Sequence, residues 1–234
     1  VVAPAADGSG AGLGSGFFVG PRTIVTNNHV VKDGDPSKLF VINRALGKAT
    51  QATVRATTRS VAPEADFAVL EISGGGPSGP AMSLSPVADR LMDVVVAGFP
   101  AINTLEDSAL ERLLQSGDAA SIPEMIANPG AVVQMLDRED PPLVAVNTAI
   151  NGGNSGGPLV DYCGRVLGVN TFTSSNKRGE RAYYALATAG LIQFLESSQV
   201  PFHKADDKCT PQTVAAGPSA APPEPKTLEV RPQR

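Results

Sequence analysis

The chain has 234 residues, 42% apolar and 18% charged, a balance too apolar for a disordered polymer and enough for one large domain or two small ones. Its formal net charge of −4 argues against a nucleic-acid surface, which needs a basic patch. No run approaches the roughly 18 consecutive apolar residues that crossing a bilayer requires, so no membrane span is expected.

Glycine and proline, 24 and 20 residues, interrupt many short Val/Ile/Thr runs, which points to an all-β protein with frequent turns. The start at Val1 rather than at Met implies removal of an upstream segment, and a cleaved signal peptide is one route to that. Residues 1–12, VVAPAADGSGAG, are small and polar and read as a loose lead-in. From Leu13 the texture changes. GSGFFVG, TIVTNNHVV, KLFVINRA, KATQATVRATT and DFAVLEI are strand candidates, each bounded by Gly, Pro, Asp or Asn.

The stretch 73–86, SGGGPSGPAMSLSP, reads as an exposed connection between two halves. A second strand set follows: MDVVVAGF, GAVVQML, PLVAVNTA, GPLVDY, GRVLGVNTF and RAYYALAT. Two consecutive β units of similar strand number predict a two-barrel or two-sheet architecture, with a first unit over 13–86 and a second over 87–209.

Two places break the β pattern. In 104–116, TLEDSALERLLQS, the residues Leu105, Ala109, Leu110, Leu113 and Leu114 fall on one helical face, with Thr104 and Asp107 as a capping arrangement and Gly117 as the stop. This helix sits in an insertion near 101–129, expected to be a lid or a contact element for self-association or a partner. Residues 189–198, AGLIQFLESS, predict a short terminal helix. From Thr210 to Arg234 six prolines accompany few aliphatics. No core can be built from that, so 210–234 reads as a disordered, partly polyproline tail.

Three polar residues stand out. Ser155 lies among four glycines in NGGNSGGPLVD, residues 151–161; taken alone, that cluster reads as a turn or linker. A serine hydroxyl becomes nucleophilic only when a base removes its proton, and the usual base is a histidine oriented by a buried carboxylate. The histidines are His29 and His203. His203, in FHKADDKC, reads as a surface residue; a metal role with Asp206, Asp207 and Cys209 has no recognised ligand spacing, and neither metal nor cofactor is expected. His29 closes the TIVTNNHVV strand candidate, where a lone histidine is more often structural. Asp66 opens DFAVLEI, at the mouth of an apolar strand, where a partly buried carboxylate needs a donor such as an imidazole N–H. Cys163 and Cys209 either stay as two thiols or form one bridge, tying the end of the folded part back to the hairpin after Ser155; a bridge would favour an oxidising compartment.

In combination these signals sharpen. Thr26-Asn-Asn-His29-Val30, Asp66-Phe-Ala-Val-Leu70 and Gly153-Asn-Ser155-Gly-Gly-Pro-Leu159 stand in that order, followed by the strand GRVLGVNTF. Here the sequence resembles the trypsin-like serine proteases, and within them the HtrA/Deg-type bacterial branch, over most of residues 13–195. The resemblance implies two antiparallel six-stranded β-barrels of the chymotrypsin-like kind, the short helix at the C-terminal end, and the helical insertion in the second barrel. It also implies a catalytic triad of His29, Asp66 and Ser155, and an oxyanion hole from the N–H groups of Gly153 and Ser155. Ala149, six residues before the serine, would form the base of the primary pocket. No acid stands in NTAINGGN, so apolar P1 side chains are expected.

By the same resemblance Asn170, Thr171, Phe172 and Thr173 form the strand that pairs with substrate, with Phe172 as a wall, and Tyr183, Tyr184 and Ala185 face the pocket. The implied partners are protein or peptide substrates, in a bacterial periplasmic or secreted setting. Two departures accompany the match: the insertion, and a tail too short and proline-rich for a PDZ domain. The first two residues, Val1 and Val2, lack the following glycines of an activating N-terminus, so no zymogen cleavage is expected there. The reading from another class is a catalytically silent double barrel acting as a binding or scaffolding module, and a weaker one is a β-sandwich without a site.

Overall fold

The computed structural model of the protein describes residues 1–7, 10–74, 78–99, 124–139, 141–205, 207 and 209–210. The expected helix at 104–116 and nearly all of the expected tail lie outside the described residues. Among those described, no helix is long and apolar enough to cross a membrane.

The first half contains β1 (Val2–Pro4), β2 (Ala11–Leu13), β3 (Phe17–Phe18), β4 (Thr23–Thr26), β5 (Phe40–Val41), β6 (Thr50–Thr57) and β7 (Ala68–Ile72). They form an antiparallel sheet in the order β2-β1-β5-β6-β7-β4-β3. Between β4 and β5 the chain makes a single helical turn, α1 (Asn28–Val31). The expected lead-in is thus partly sheet: Val2 pairs with both Leu13 and Phe40, and Val2 and Ala3 are buried. This is the first of the two expected barrel-like sheets; it has seven strands rather than six and, among the described residues, is a half-barrel without paired edges.

Strand periodicity sorts its side chains. Successive residues face opposite sides of a sheet, and directly paired residues share a side. Ile24 pairs with Leu70 and Val25 with Val69. Ile24, Ala68, Leu70 and Ile72 accordingly fill the hollow of the half-barrel with Phe18, Leu39 and Val41. Val25, Phe67 and Val69 face the other way, towards the second half.

That second half contains β8 (Ser83–Leu84), β9 (Asp93–Gly98), β10 (Ile126–Leu136), β11 (Leu143–Val146), β12 (Pro158–Asp161), β13 (Val166–Ser175), β14 (Arg181–Ala187) and β15 (His203–Lys204). Six strands run β12-β9-β10-β11-β14-β13, and pairing of β12 with β13 closes the barrel. Strands β8 and β15 attach outside it as short parallel additions. β10 begins at Ile126, so the insertion expected over 101–129 ends earlier: residues 126–129 pair with β9, Pro129 included. The barrel is filled by Val94, Val96, Val132, Val144, Leu159, Leu167 and Ala185, contributed by all six strands.

The terminal helix, α2 (Thr188–Ser197), buries Leu191, Ile192 and Leu195. Those residues join Phe17, Phe67 and Val69 of the first half and Val166, Val169 and Leu186 of the second in one shared cluster. Phe194 of α2 stacks on Phe67 with ring centroids 5.9 Å apart. Cys163 and Cys209 are disulfide-bonded, binding the end of the described chain to the turn after β12.

Candidate active site

The site begins where β4 runs out. His29 lies on the turn of α1, not on the strand that TIVTNNHVV suggested. The reason is tertiary: the turn's own N–H groups need acceptors, and Asp66, next to the start of β7, supplies them. Asp66 Oδ1 accepts from the His29 backbone N–H at 2.9 Å, and Asp66 Oδ2 meets His29 Nδ1 at 2.6 Å.

The carboxylate is 0% exposed and the imidazole 33%. A buried carboxylate is tolerated only when its oxygens are hydrogen-bonded, and one residue here engages both. Against an ionised carboxylate, which can only accept, Nδ1 is the donor, and in the neutral form of the ring Nε2 is then the lone-pair acceptor.

The two asparagines before His29 hold this corner in place. Asn27 Nδ2 donates to the Asp66 carbonyl at 2.7 Å and to Thr171 Oγ1 at 3.2 Å. Asn28 Nδ2 donates to the carbonyls of Thr58 and Ser60, both at 3.1 Å. Neither role was visible in the sequence, because their partners lie 30 or more residues away.

Ser155 sits on the loop between β11 and β12. Its hydroxyl donates to the Thr171 carbonyl at 3.1 Å. Thr171 in turn donates its own hydroxyl to the Val169 carbonyl at 2.7 Å while accepting from Asn27. The structure therefore brings His29 and Asp66 into direct contact and links Ser155 to them through Thr171 and Asn27. The serine hydroxyl rests on Thr171 rather than on His29.

The loop around Ser155 can be followed one peptide unit at a time. Asn154 N–H donates to the Asn151 carbonyl at 3.0 Å, and the Asn154 carbonyl accepts from Gly157 N–H at 2.9 Å. Because the carbonyl and N–H of a trans peptide point opposite ways, the second bond turns the Ser155 N–H away from Gly157. Among the described residues, neither that N–H nor the N–H of Gly153 has a protein acceptor.

Gly153 has φ 90° and Gly156 has φ 85°, left-handed conformations that glycine adopts cheaply. At Gly156 a Cβ would also lie 2.2 Å from Thr26 Oγ1 and 2.4 Å from the Ser15 carbonyl oxygen. Close approach to the first half forbids a side chain there.

The residues expected around a substrate gather on β13 and its neighbours but differ in what they offer. Ala149 is half-buried in the turn after β11, and Thr173 Oγ1 donates to the neighbouring Ile150 carbonyl at 2.8 Å. Asn170 is fully buried. Its N–H donates to Gly157, its carbonyl accepts from Gly156, and its amide donates to the carbonyls of Ala97 and Pro158. It braces the serine loop from behind and has no face for substrate. Phe172 stacks on Tyr184 at 5.0 Å. Tyr183 and Ala185 do not share that side as expected. They alternate with Tyr184 along β14 and pack with the barrel interior.

His203 is exposed on β15. Asp161, Cys163 and Cys209 cluster among the described residues, but both sulfurs belong to the disulfide, which removes Cys209 from the metal role weighed for it. Asp161 is instead the buried partner of Arg165, whose Nε and Nη2 both reach Oδ2 at 2.7 Å.

A model of the trypsin-like peptidase domain matches residues 14–169. The chain is 36% identical over 161 residues to serine protease HTRA2, mitochondrial, of Bos taurus, a match covering 68% of this chain and 31% of that protein. It is 28% identical over 162 residues to a probable periplasmic serine endoprotease, DegP-like, of Pseudomonas fluorescens, covering 68% and 29% respectively. The chain thus spans about three tenths of the length of these relatives. The crystal structure of the Rv3671c protease from M. tuberculosis in its active form matches with a TM-score of 0.61 at 21% identity, over 87% of this chain and 81% of that one, a likeness of fold.

Proposed function

The chain belongs to the trypsin-like peptidase family, and on that premise we propose that it is a serine endopeptidase with His29, Asp66 and Ser155 as its catalytic triad. The observation that carries this reading is the His29 Nδ1–Asp66 Oδ2 contact at 2.6 Å, which orients a partly exposed ring so that, in its neutral form, Nε2 is the acceptor, while Gly156 of the serine loop packs against Thr26 and Asn27, just before His29.

In the proposed reaction the Ser155 hydroxyl leaves the Thr171 carbonyl by rotation about its Cα–Cβ bond and transfers its proton to His29 Nε2. The Oγ attacks the scissile carbonyl. Asp66 stabilises the imidazolium that forms, and the N–H groups of Gly153 and Ser155 receive the developing oxyanion, each such donor lowering the barrier by about 3 to 4 kcal/mol. His29 then protonates the leaving amine, leaving an acyl-enzyme that water hydrolyses by the same steps. If Ala149 forms the base of the P1 pocket, as the family resemblance implies, no acid in the 147–154 stretch offers a basic P1 side chain a countercharge, so apolar P1 residues are preferred. Protein or peptide substrates in a periplasmic or secreted setting fit both the disulfide and the DegP-like relative.

A fluorophosphonate probe tests the reading. Wild type is expected to label at Ser155, and Ser155→Ala to lose both labelling and about 10⁶-fold in kcat while keeping its melting temperature. Chromogenic peptides differing only at P1 test the pocket, with Leu or Val expected to exceed Arg in kcat/KM. An unlabelled but folded wild type would identify the chain as a silent binding module.

A further inference from the structure

Ser15 lies in the first half between β2 and β3, in a GSG triplet that reads from sequence only as the start of a strand. It is 1% exposed, and all its hydrogen-bonding groups are used. Its Oγ donates to the Gly153 carbonyl at 2.7 Å and accepts from Phe99 N–H at 2.8 Å. Its N–H donates to the Ser155 carbonyl at 2.8 Å. Its own carbonyl accepts from Thr26 Oγ1 at 2.7 Å, three residues before His29. We propose that Ser15 is a positioning residue that aims the oxyanion-binding N–H groups of the Ser155 loop, an inference that rests on the peptidase reading above.

The geometry supplies the reason. Each peptide unit is planar, so fixing its carbonyl fixes its N–H. Ser15 holds the carbonyls of the 153–154 and 155–156 units, and these flank the 154–155 unit that carries the Ser155 N–H. Gly153, with no side chain and a φ of 90°, offers little resistance of its own to a turn of the adjacent peptide. What resists is the Ser15 hydroxyl at one end of the 153–154 unit and the Asn151 carbonyl at the other.

The hydroxyl itself has little room to look elsewhere. A Cβ at Gly98 would lie 2.9 Å from Ser15 Oγ, and one at Gly157 would lie 3.0 Å from Ser15 Cβ. Removing the hydroxyl leaves the buried Gly153 C=O and the part-buried Phe99 N–H without their partner, and a turned loop is the way to relieve them. The first half would thereby set the electrophilic side of the site as well as the base.

Ser15→Ala tests this, with Thr26→Val and Thr26→Ser as a second pair that leaves Ser15 in place. The readouts are kcat, KM, melting temperature and inhibition by a peptide boronate, whose tetrahedral adduct occupies the oxyanion position. Ser15→Ala is expected to lose on the order of 10²-fold in kcat, the loss that follows removal of one oxyanion donor, with KM little changed. Boronate affinity should fall by the same factor as kcat/KM. Thr26→Val should shift both in the same direction by less, and Thr26→Ser should restore them.

If Ser15→Ala folds and retains wild-type kcat and boronate affinity, the inference is wrong. The same holds if its loss only tracks the unfolded fraction. Should Ser15→Ala not fold, equal kcat in Thr26→Val and Thr26→Ser overturns it. A wild type that fluorophosphonate does not label defeats the peptidase reading itself, whereas a labelled wild type with an indifferent Ser15→Ala defeats this inference alone.

Discussion

The two halves reach the site by opposite routes. The first is an open sheet, yet its contribution is complete in itself: His29 and Asp66 are joined by two hydrogen bonds, and the asparagines beside them brace the corner. The second is a closed barrel with an apolar interior, yet Ser155, its proposed nucleophile, hangs on a glycine-rich loop braced by Ser15 of the other half. Barrel closure therefore does not by itself make a loop rigid. On the proposed reading, alignment of Ser155 belongs to the seam between the halves, whereas the His29–Asp66 pair belongs to one half alone.

The sharpest way to break the self-sufficient half is Asp66→Asn. The Asn oxygen can keep the bond to the His29 N–H now made by Oδ1, which turns the amide NH₂ towards Nδ1. The imidazole must then present a lone pair at Nδ1 and carry its proton on Nε2, the wrong tautomer for a base. Loss of about 10⁴-fold in kcat is expected, with Ser155 still in place and the fold intact by circular dichroism. A drop below tenfold would show that the pair is a structural cap for α1 and no more.

The seam is broken more gently by a single methyl. Gly156→Ala combines a left-handed φ of 85° with contacts of 2.2 and 2.4 Å from the new Cβ to the first half. Backbone strain and overpacking together should cost about 4 kcal/mol. Gly164→Ala is the matched control. It has φ 76° but nothing within 4 Å of a Cβ, so only about 1 kcal/mol is expected. Equal losses in urea titrations of the two variants would mean that the seam adds nothing beyond backbone strain.

What could be read in advance follows the same division. The strands around Val25, Val69, Val96 and Leu159 were legible because alternation and turn residues are local signals. The His29–Asp66 contact and the glycine-rich setting of Ser155 could be singled out because each of the three residues lies in a short motif. Ser15 was not, since its hydroxyl acts across 138 residues and its triplet carries no mark of that. The Val2–Pro4 strand was hidden because its partners, Leu13 and Phe40, are brought to it only by the folded sheet. At Pro129 the sequence misleads, since proline usually marks the end of a strand, yet β10 runs through it against Val95. The α1 turn escaped for the reason that shaped it, an acceptor 37 residues away.

The smallest expected effect on chemistry lies at the far end of β12. Ser155 and Pro158 stand at one end of that strand and Cys163 just beyond the other, so a cross-link there is remote from the site. Linking residues 46 apart removes loop entropy from the unfolded chain equivalent to about 4 kcal/mol in the chain-entropy model. The stabilisation seen will be smaller if the 203–209 strap opens alone, because local opening caps what a tether can contribute. Two attachments oppose that opening: the β15–β8 pairing and the bonds from the Arg165 guanidinium to Asp207.

Cys163→Ser with Cys209→Ser should therefore lower stability by about 2 kcal/mol and leave kcat/KM within about twofold of wild type. A fall in kcat comparable to that of Asp66→Asn would mean that strain at the strap reaches Ser155 along β12, and the separation between a rigid barrel and an independently braced loop would not hold.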